Sequence, residues 1–240
     1  MGIVVKNLVK KFGDRNVIDN ISFSVGDGET LGIVGFSGSG KSTILKLISK
    51  LLYTDGGTIE TTKGDIAMTF QYSALFDFLD VFDNISFPLV ERPEFRGKYS
   101  REALEKIVEY SLKILGLRDI EHKYPSELSG GMQKRVSFAR AVVTKPSIIL
   151  FDEPTAGLDP ISSTIIEDCI VELKNKLNST CVVVTHQLST IKRATDRIIM
   201  LYKGKIVFEG TTEEFLKAEN PYAKQFIEAS LTGPMDTLQE

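Results

Sequence analysis

Nine consecutive residues have the types and the spacing needed to hold the phosphate groups of a nucleotide. The first eight fit the pattern of a glycine, four residues of any type, and Gly-Lys followed by Ser or Thr. Glycines let such a loop wrap closely, so that backbone N–H groups point at phosphate oxygens. We expect Lys41 to reach the β- and γ-phosphates and the Ser42 hydroxyl to ligate Mg²⁺. The loop consists of Gly35, Phe36, Ser37, Gly38, Ser39, Gly40, Lys41, Ser42 and Thr43.

The segments on either side of this loop support the prediction. Residues 30–34 have the composition of a buried strand, and residues 42–50 have the apolar spacing of a helix. A helix that begins at the loop adds its partial positive charge to the phosphate site. A Gly/Ser-rich turn without a ligand is disfavoured, because the sequence and its context agree.

Two carboxylates follow the apolar run 147–151, which predicts a central parallel strand. Burying Asp152 and Glu153 without a partner is costly, and a Mg²⁺ ion beside Ser42 is the natural partner. We expect Asp152 to support the metal and Glu153 to face an attacking water. A helix cap or a salt bridge is the structural alternative.

Three further candidates lie at strand ends or in turns. His186 follows the apolar strand 180–185 and could hydrogen-bond a transferring phosphate, although a lone His is more often structural. Gln71 follows a short strand, at a position where α/β sites collect functional groups. Phe12 lies in a turn between two alternating strands. It is either a buried turn aromatic or a ring face for a flat base, and the local sequence leaves both open.

A Ser-Gly-Gly sequence precedes a predicted helix at 132–144. Ser129, Gly130 and Gly131 could present backbone N–H groups to an anion. The signal is weak by itself, because Ser followed by Gly is also a common helix N-cap.

Hydrophobic periodicity predicts the strands and helices that position these residues. Residues 3–9 and 17–25 alternate as half-buried antiparallel strands do, and 100–115 and 161–177 have helical spacing. A hairpin is predicted over 197–209, and Gly233-Pro234 ends the last helix before a loose tail to Glu240. The remaining predicted strands and helices are 57–61, 65–70, 211–218 and 221–231.

The segment Tyr72–Glu91 is unusually rich in aromatic and aliphatic residues. Asp77, Asp80, Asp83-Asn84 and Pro88 are interpreted as loop signals within it. One interpretation is the core of a small helical subdomain. The other leaves part of the segment exposed for a partner.

Composition limits the possible functions. A chain of 240 residues is long enough for one large domain, or one core with a subdomain. The net charge of −3 gives no general basic surface for nucleic acid. The two cysteines fit no metal spacing. The start lacks the pattern of a signal peptide, and no apolar stretch approaches the ~20 residues that span a bilayer. We therefore expect a soluble chain whose membrane role, if any, comes through a partner.

Taken in order, these motifs resemble the nucleotide-binding subunit of an ATP-binding-cassette (ABC) transporter. The resemblance covers nearly the whole chain and includes Gly157-Leu158-Asp159. It implies an α/β fold: a P-loop NTPase (RecA-like) core with an antiparallel β-subdomain and an inserted α-helical subdomain. We divide the chain accordingly into the core (1–74 and 145–210), the helical subdomain (75–144) and C-terminal helices with a tail (211–240).

The resemblance also assigns roles within one nucleotide site, which would hold ATP and Mg²⁺. Phe12 matches the aromatic that stacks on adenine, although the family more often has Tyr there. Gln71 matches the glutamine that contacts Mg²⁺ and senses the membrane partner. Glu153 matches the general base and His186 the γ-phosphate switch, so these two and Lys41 form the expected catalytic set.

Other matches imply a second copy of the chain. Ser129, Gly130 and Gly131 match the signature that touches the γ-phosphate of the opposite subunit's ATP, and Asp159 matches the loop that crosses between subunits. Met132 departs from the commonest signature, which has Gln, but the anion-binding part is intact. A homodimer with two ATP sites is therefore expected.

A narrower resemblance is to the ATPase subunits of bacterial MCE-type lipid transporters. It is carried by residues 70–76, 81–89, 125–132 and Gly233-Pro234. It implies integral-membrane permease subunits, an MCE-domain protein in the same complex, and a position on the cytoplasmic face of the inner membrane. We expect the permease to dock near Tyr72–Pro88, because this aromatic-rich segment follows Gln71 and leads to the Ser-Gly-Gly motif.

The alternatives are an importer of amino acids or other small solutes, a non-transport cassette protein and a small-molecule P-loop kinase. Cassette proteins of DNA repair or translation typically carry paired cassettes, coiled coils or basic surfaces, and these features are missing from this sequence. A kinase would not need the Ser-Gly-Gly motif or His186.

Overall fold

The computed structural model describes residues 2–62, 64–217 and 219–236, which form two β-sheets with helices around them. An antiparallel sheet has the strand order β2-β1-β4, and a larger sheet has the order β5-β6-β7-β3-β8-β9. All neighbours in the larger sheet are parallel except the edge pair β8–β9. The strands are β1 Ile3–Phe12, β2 Arg15–Val25, β3 Thr30–Gly35, β4 Gly56–Thr61, β5 Ile66–Thr69, β6 Ile148–Asp152, β7 Thr180–Val184, β8 Arg197–Tyr202 and β9 Lys205–Thr211.

The helices follow in chain order and cover the larger sheet. Helices α2, α3 and α4 pack together through one apolar cluster that continues onto β6 and α5. They are α1 Lys41–Ile48, α2 Val81–Glu91, α3 Arg101–Ile114, α4 Gly130–Val142, α5 Pro160–Leu177, α6 Leu188–Ala194, α7 Thr212–Lys217 and α8 Pro221–Ile227, with one 3₁₀ turn at Pro125–Glu127. The predicted fold class is confirmed. The exact division of the chain into core and subdomain ranges remains a prediction.

The central strands explain how distant parts of the sequence meet. Every residue of β3, β6 and β7 is buried, as expected of parallel strands covered on both faces. The carboxyl ends of these strands lie at one edge of the sheet. The chain therefore brings the phosphate loop, the two carboxylates and His186 to the same edge.

One bidentate ion pair joins the larger sheet to the helical part. The Arg92 guanidinium, just after α2, donates to both carboxylate oxygens of Asp65 beside β5, one of them at 2.6 Å. This pair holds the pKa of the Asp65 carboxyl below its usual value.

Helix α2 corrects the interpretation of several polar residues as loop signals. Asp83, Asn84 and Pro88 lie inside the helix, and Asp80 is its N-cap, accepting a hydrogen bond from the Asp83 N–H at 2.8 Å. The Asn84 amide is fully buried and donates to three backbone carbonyls of the preceding turn. It ties that turn to the helix instead of ending the helix.

The C-terminal segment also differs from its prediction. Helix α8 ends at Ile227, not at residue 231, and the chain after it is packed at least as far as Met235, which is buried. The predicted loose tail is therefore wrong for this part, and 237–240 lie outside the described residues. The predicted end of α7 at Ala218 also lies outside them.

Both cysteines lie in the hydrophobic core. Cys169 and Cys181 are both buried and unbridged. Burial raises the pKa of the Cys169 thiol to about 11 and that of Cys181 to about 12, so both behave as apolar core side chains. Over the described ranges, the helices are too short or too polar to cross a bilayer.

Candidate active site

A pocket of about 940 Å³ opens at the carboxyl edge of the parallel strands. It brings together most of the residues that the sequence predicts for a nucleotide site. Ser39 and Asp152 are buried beside it and are not part of its lining. The lining consists of Phe12, Arg15, Val17, Gly35, Phe36, Ser37, Gly38, Gly40, Lys41, Ser42, Thr43, Gln71, Glu153, His186 and residues 225, 226 and 229–231.

Backbone geometry requires glycine at two positions of the phosphate loop. Gly35 and Gly40 have φ angles of +147° and +101°. A Cβ on Gly35 would lie 2.4 Å from the Leu201 carbonyl oxygen, and one on Gly40 would lie 2.7 Å from Ile18. The loop can therefore pack tightly onto the sheet only with glycine at these positions.

Lys41 begins α1 and bends back over the loop. Its Nζ donates to the carbonyl oxygens of Gly35 and Phe36, each at 2.9 Å. Burial lowers the pKa of Lys41, while the negative charges of Glu153 and Asp152 raise it. The loop thus holds a buried cation at the start of a helix, which is an arrangement suited to phosphate.

Ser42 and Asp152 meet across the site. The Ser42 Oγ donates to Asp152 Oδ1 at 2.8 Å. Burial raises the pKa of Asp152, the Ser42 hydrogen bond opposes that rise, and the charge of Glu153 adds to it. A hydroxyl and a carboxylate beside the phosphate loop, with the Gln71 amide in the same pocket, are the hard oxygen donors that Mg²⁺ prefers. The residues present therefore fit the metal.

Glu153 and His186 form the second polar pair. The His186 Nδ1 lies 2.9 Å from both carboxylate oxygens, but only Oε1 has hydrogen-bonding geometry. Oε2 is buried and makes no hydrogen bond among the described residues. The Glu153 backbone is held in the left-handed region at φ +46°, with its N–H bonded to the Val184 carbonyl at 2.9 Å. Strain of this kind is concentrated at functional sites.

Phe12 and Gln71 both line the pocket from exposed positions. The Phe12 ring is 50% exposed, so the alternative of a buried turn aromatic does not apply. The roles of both residues toward adenine and Mg²⁺ remain predictions.

The predicted signature residues form a separate cluster. Ser129 is the N-cap of α4, accepting from the Met132 N–H at 3.3 Å, and α4 begins at Gly130, two residues earlier than predicted. A Cβ on Gly131 would touch Ser162 at 3.7 Å. Asp159 caps α5 by accepting from the N–H groups of residues 161 and 162, each at 3.0 Å. None of these residues is among the described residues that line the pocket.

Comparison with known proteins decides the family. Residues 18–156 match the model of the ABC transporter family. The chain belongs to the ABC transporter family, and it is an ABC ATPase.

Relatives of this ABC ATPase align with it along almost its full length. Protein TRIGALACTOSYLDIACYLGLYCEROL 3 of Arabidopsis thaliana is 41% identical over 97% of this chain and 75% of its own length. The intermembrane phospholipid transport system ATP-binding protein MlaF of Haemophilus influenzae is 37% identical, over 97% of this chain and 92% of its own. The methionine import ATP-binding protein MetN of Carboxydothermus hydrogenoformans is also 37% identical, over 94% and 71%.

A solved structure has the same fold. The dimeric post-hydrolysis ATP-binding cassette MJ0796, bound to ADP and Pi, superposes with a TM-score of 0.78 at 32% identity, covering 88% of this chain and 98% of that one. ATP is thus the nucleotide that this family of ATPases binds, and hydrolysis is its reaction.

Sequence reasoning missed the residue that holds the loop after Glu153. Lys134 lies on α4 and is buried. Its Nζ donates to the carbonyls of Pro154 at 2.9 Å and Ala156 at 2.8 Å. The Glu153 carbonyl lies at 3.5 Å. Burial lowers the pKa of Lys134, and the charge of Glu153 raises it. Its position among polar residues of an amphipathic helix gave no signal of this role.

A buried hydroxyl network fixes the same loop from the other side. The Thr155 hydroxyl lies 3.0 Å from that of Thr190, which donates to the buried carboxylate of Glu167 at 2.8 Å. Glu167 also accepts from the Ser189 hydroxyl at 2.8 Å. Since α5, α6 and the loop are separate in sequence, only the fold reveals this network.

Proposed function

We propose that this ABC ATPase is the ATP-hydrolysing subunit of a membrane transporter that moves lipid, of the MCE type. Two relatives whose names refer to a glycerolipid or to phospholipid transport, at 41% and 37% identity over 97% of the chain, carry this proposal. The subunit works as a homodimer on the cytoplasmic face of the inner membrane, attached to integral-membrane permease subunits. An MCE-domain protein completes the complex, and nucleic acid is not a partner.

Some of the site residues bind the nucleotide, and others transfer protons during hydrolysis. The phosphate loop and Lys41 bind and orient the β- and γ-phosphates. The Glu153 carboxylate, which lines the pocket, accepts a proton from the attacking water, which adds to the γ-phosphorus as the bond to the β-phosphate oxygen breaks, giving ADP and phosphate. His186 holds Glu153 through Oε1 and is placed to donate to the γ-phosphate.

Ser42, Asp152 and Gln71 would hold Mg²⁺. The bound ion supplies positive charge that neutralises the phosphate oxygens. The hydrogen bond from Ser42 to Asp152 keeps both side chains at the site.

A small-solute importer is the second candidate, because the methionine importer subunit is as similar as the phospholipid one. A lipid cargo has the stronger support, because the relative with the highest identity of these three is named after a glycerolipid.

Reconstitution tests the cargo. The tagged chain is purified from its own cell membranes with its bound partners, and the complex is placed in phospholipid vesicles. We expect ATP to drive transfer of a fluorescent phospholipid between these vesicles and acceptor vesicles, and the Lys41→Ala complex to transfer none. ATP-driven accumulation of methionine without lipid transfer would favour the importer and reject lipid transport.

The surface proposed for the permease surrounds the turn before α2. A groove of about 430 Å³ between this turn, β5 and α4 is lined by Phe76, Phe87 and Arg140, among others. Phe78 is 77% exposed and packs on Phe76 with ring centroids 5.8 Å apart. Phe78 is therefore at the rim of the groove and not in its lining. A short helix of the permease could bury both rings in the helix-in-groove mode.

Replacing Phe78 by Asp tests this surface. We expect the isolated subunit to keep its melting temperature and its ATP affinity, because Phe78 is outside the core. Its co-purification with the permease should be lost, since a buried aromatic anchor contributes about 2 kcal/mol or more.

Two variants calibrate that result. Tyr53→Asp changes an aromatic that is 88% exposed elsewhere and should leave co-purification intact. Phe82→Asp changes a core residue of the same segment and should lower the melting temperature strongly. A Phe78→Asp subunit that melts like Phe82→Asp, or that still binds the permease, would contradict the proposed surface.

A further inference from the structure

The pocket lining has two chemically different parts. One part is the phosphate loop with Glu153 and His186, which the hydrolysis reaction uses. In the other part, five of eight residues are apolar. It consists of Phe12, Arg15 and Val17 from the antiparallel sheet and Gln225, Phe226, Ala229, Ser230 and Leu231 from the C-terminal segment. None of the roles given above to catalytic residues involves this C-terminal segment, which also lies outside the region matched by the family model.

The C-terminal segment is fixed in place by its own contacts. The buried Gln225 amide donates to the Met235 carbonyl at 2.9 Å and accepts from the Met235 N–H at 2.8 Å. One residue further on, Asp236 pairs with Lys203 at 2.9 Å, and its N–H donates to the Tyr202 hydroxyl at 3.0 Å. The two ends of residues 226–234 are therefore joined to each other, and Asp236 fixes the C-terminal end to the turn after β8.

The segment also contacts the phosphate loop directly. The Phe226 ring meets the Phe36 ring edge-on, with ring centroids 6.2 Å apart. Its centroid lies 6.1 Å from that of the buried Phe215 ring on α7. Helix α8 then ends in a left-handed turn, with Ala229 at φ +49° and the Ser230 N–H bonded to the Gln225 carbonyl at 3.0 Å. The residues that follow this turn line the pocket.

We propose that residues 226–231 bind the base and ribose of the ATP that is held by the phosphate loop of the same chain. Bases and ribose present aromatic faces and C–H groups, which are stabilised by apolar contact, whereas the phosphates need the N–H groups and the cation. Phe226, Ala229 and Leu231 supply apolar surface beside a charged loop. The inference rests on the proposed assignment of the pocket to the whole nucleotide.

Two ligands that are not hydrolysed by an ATPase separate the two parts of the pocket. ADP carries the base and ribose, and inorganic pyrophosphate carries only the phosphates. Leu231 is 81% exposed, so Leu231→Ser leaves the core unchanged. We expect the Kd for ADP to rise about fivefold, the loss expected when one apolar side chain no longer contacts a ligand. The Kd for pyrophosphate should stay within about twofold.

Matched variants complete the experiment, and calorimetry or equilibrium dialysis gives the constants. Leu51→Ser makes the same change at an exposed leucine outside the pocket and should alter neither Kd. Lys41→Ala should weaken both ligands. An unchanged Kd for ADP in Leu231→Ser, or an equal loss for ADP and pyrophosphate, would overturn the inference. Lys41→Ala without effect on either ligand would instead overturn the proposed phosphate site.

Discussion

Replacing Glu153 by Gln is expected to lower the rate of ATP hydrolysis by roughly 10²- to 10⁴-fold, the range associated with a positioned general base. The amide has nearly the shape of the carboxylate, so it can keep the contact with His186 that is 2.9 Å long in the native chain. Its neutral oxygen is a poor acceptor for the proton of the attacking water. The phosphate loop is unchanged, so ATP binding should remain.

Single-turnover hydrolysis and a separate binding measurement check this expectation. Glu60→Gln, an identical change at an exposed strand position, serves as the control and should hydrolyse ATP at the native rate. If the Glu153→Gln protein turned over at the native rate, the assigned base would be wrong. If it lost ATP binding, Glu153 would be acting as a binding residue.

Mixing two inactive variants is expected to restore hydrolysis. A Ser129→Arg chain keeps its phosphate loop and a Lys41→Ala chain keeps its signature. A heterodimer of the two therefore contains one composite site with both parts intact. A purified heterodimer should recover hydrolysis at its one intact site. Half of the native activity would indicate independent sites, and a different fraction would indicate that the two sites influence each other. Each homodimer should be nearly inactive.

Ser129→Arg also removes the N-cap of α4, which lowers the stability of the fold by about 1 kcal/mol whether or not Ser129 contacts a nucleotide. A control variant must therefore separate this effect from a loss of the composite site. Ser100 caps α3 in the same way, accepting from the Ala103 N–H at 3.2 Å. Ser100→Arg should lower the melting temperature comparably and leave hydrolysis intact. Absence of recovery in the tagged heterodimer, or native activity in a strictly monomeric fraction, would contradict the composite site.

The sequence predicts the parts of the site that depend on local pattern. Gly35 and Gly40 are predictable because only glycine tolerates their backbone angles so close to neighbouring chain. Asp152 and His186 are predictable because Asp152 ends one short apolar strand and His186 comes just after another, and parallel strands end at one edge.

Other features depend on contacts between segments that are distant in the chain. The buried ammonium of Lys134 and the carboxylate of Glu167 are polar residues on helices, where solvent exposure is the usual expectation. Local pattern indicates a loop at Asn84 and gives no signal at Gln225, yet the amides of both residues make hydrogen bonds with backbone groups. These roles arise because the fold leaves certain backbone carbonyls without a backbone partner. The local sequence pattern does not show which carbonyls these are.

Lys134 has a consequence for how two ATP sites in a dimer would influence each other. Its helix α4 is capped by Ser129, which is proposed to touch the partner's nucleotide. Its ammonium holds the carbonyls beside Glu153, which is proposed to act on the chain's own nucleotide. A displacement of α4 by the partner's γ-phosphate would then be transmitted through buried hydrogen bonds to Glu153. Nucleotide binding at one site would then change the rate of hydrolysis at the other, so the two hydrolysis events in a dimer would not be independent.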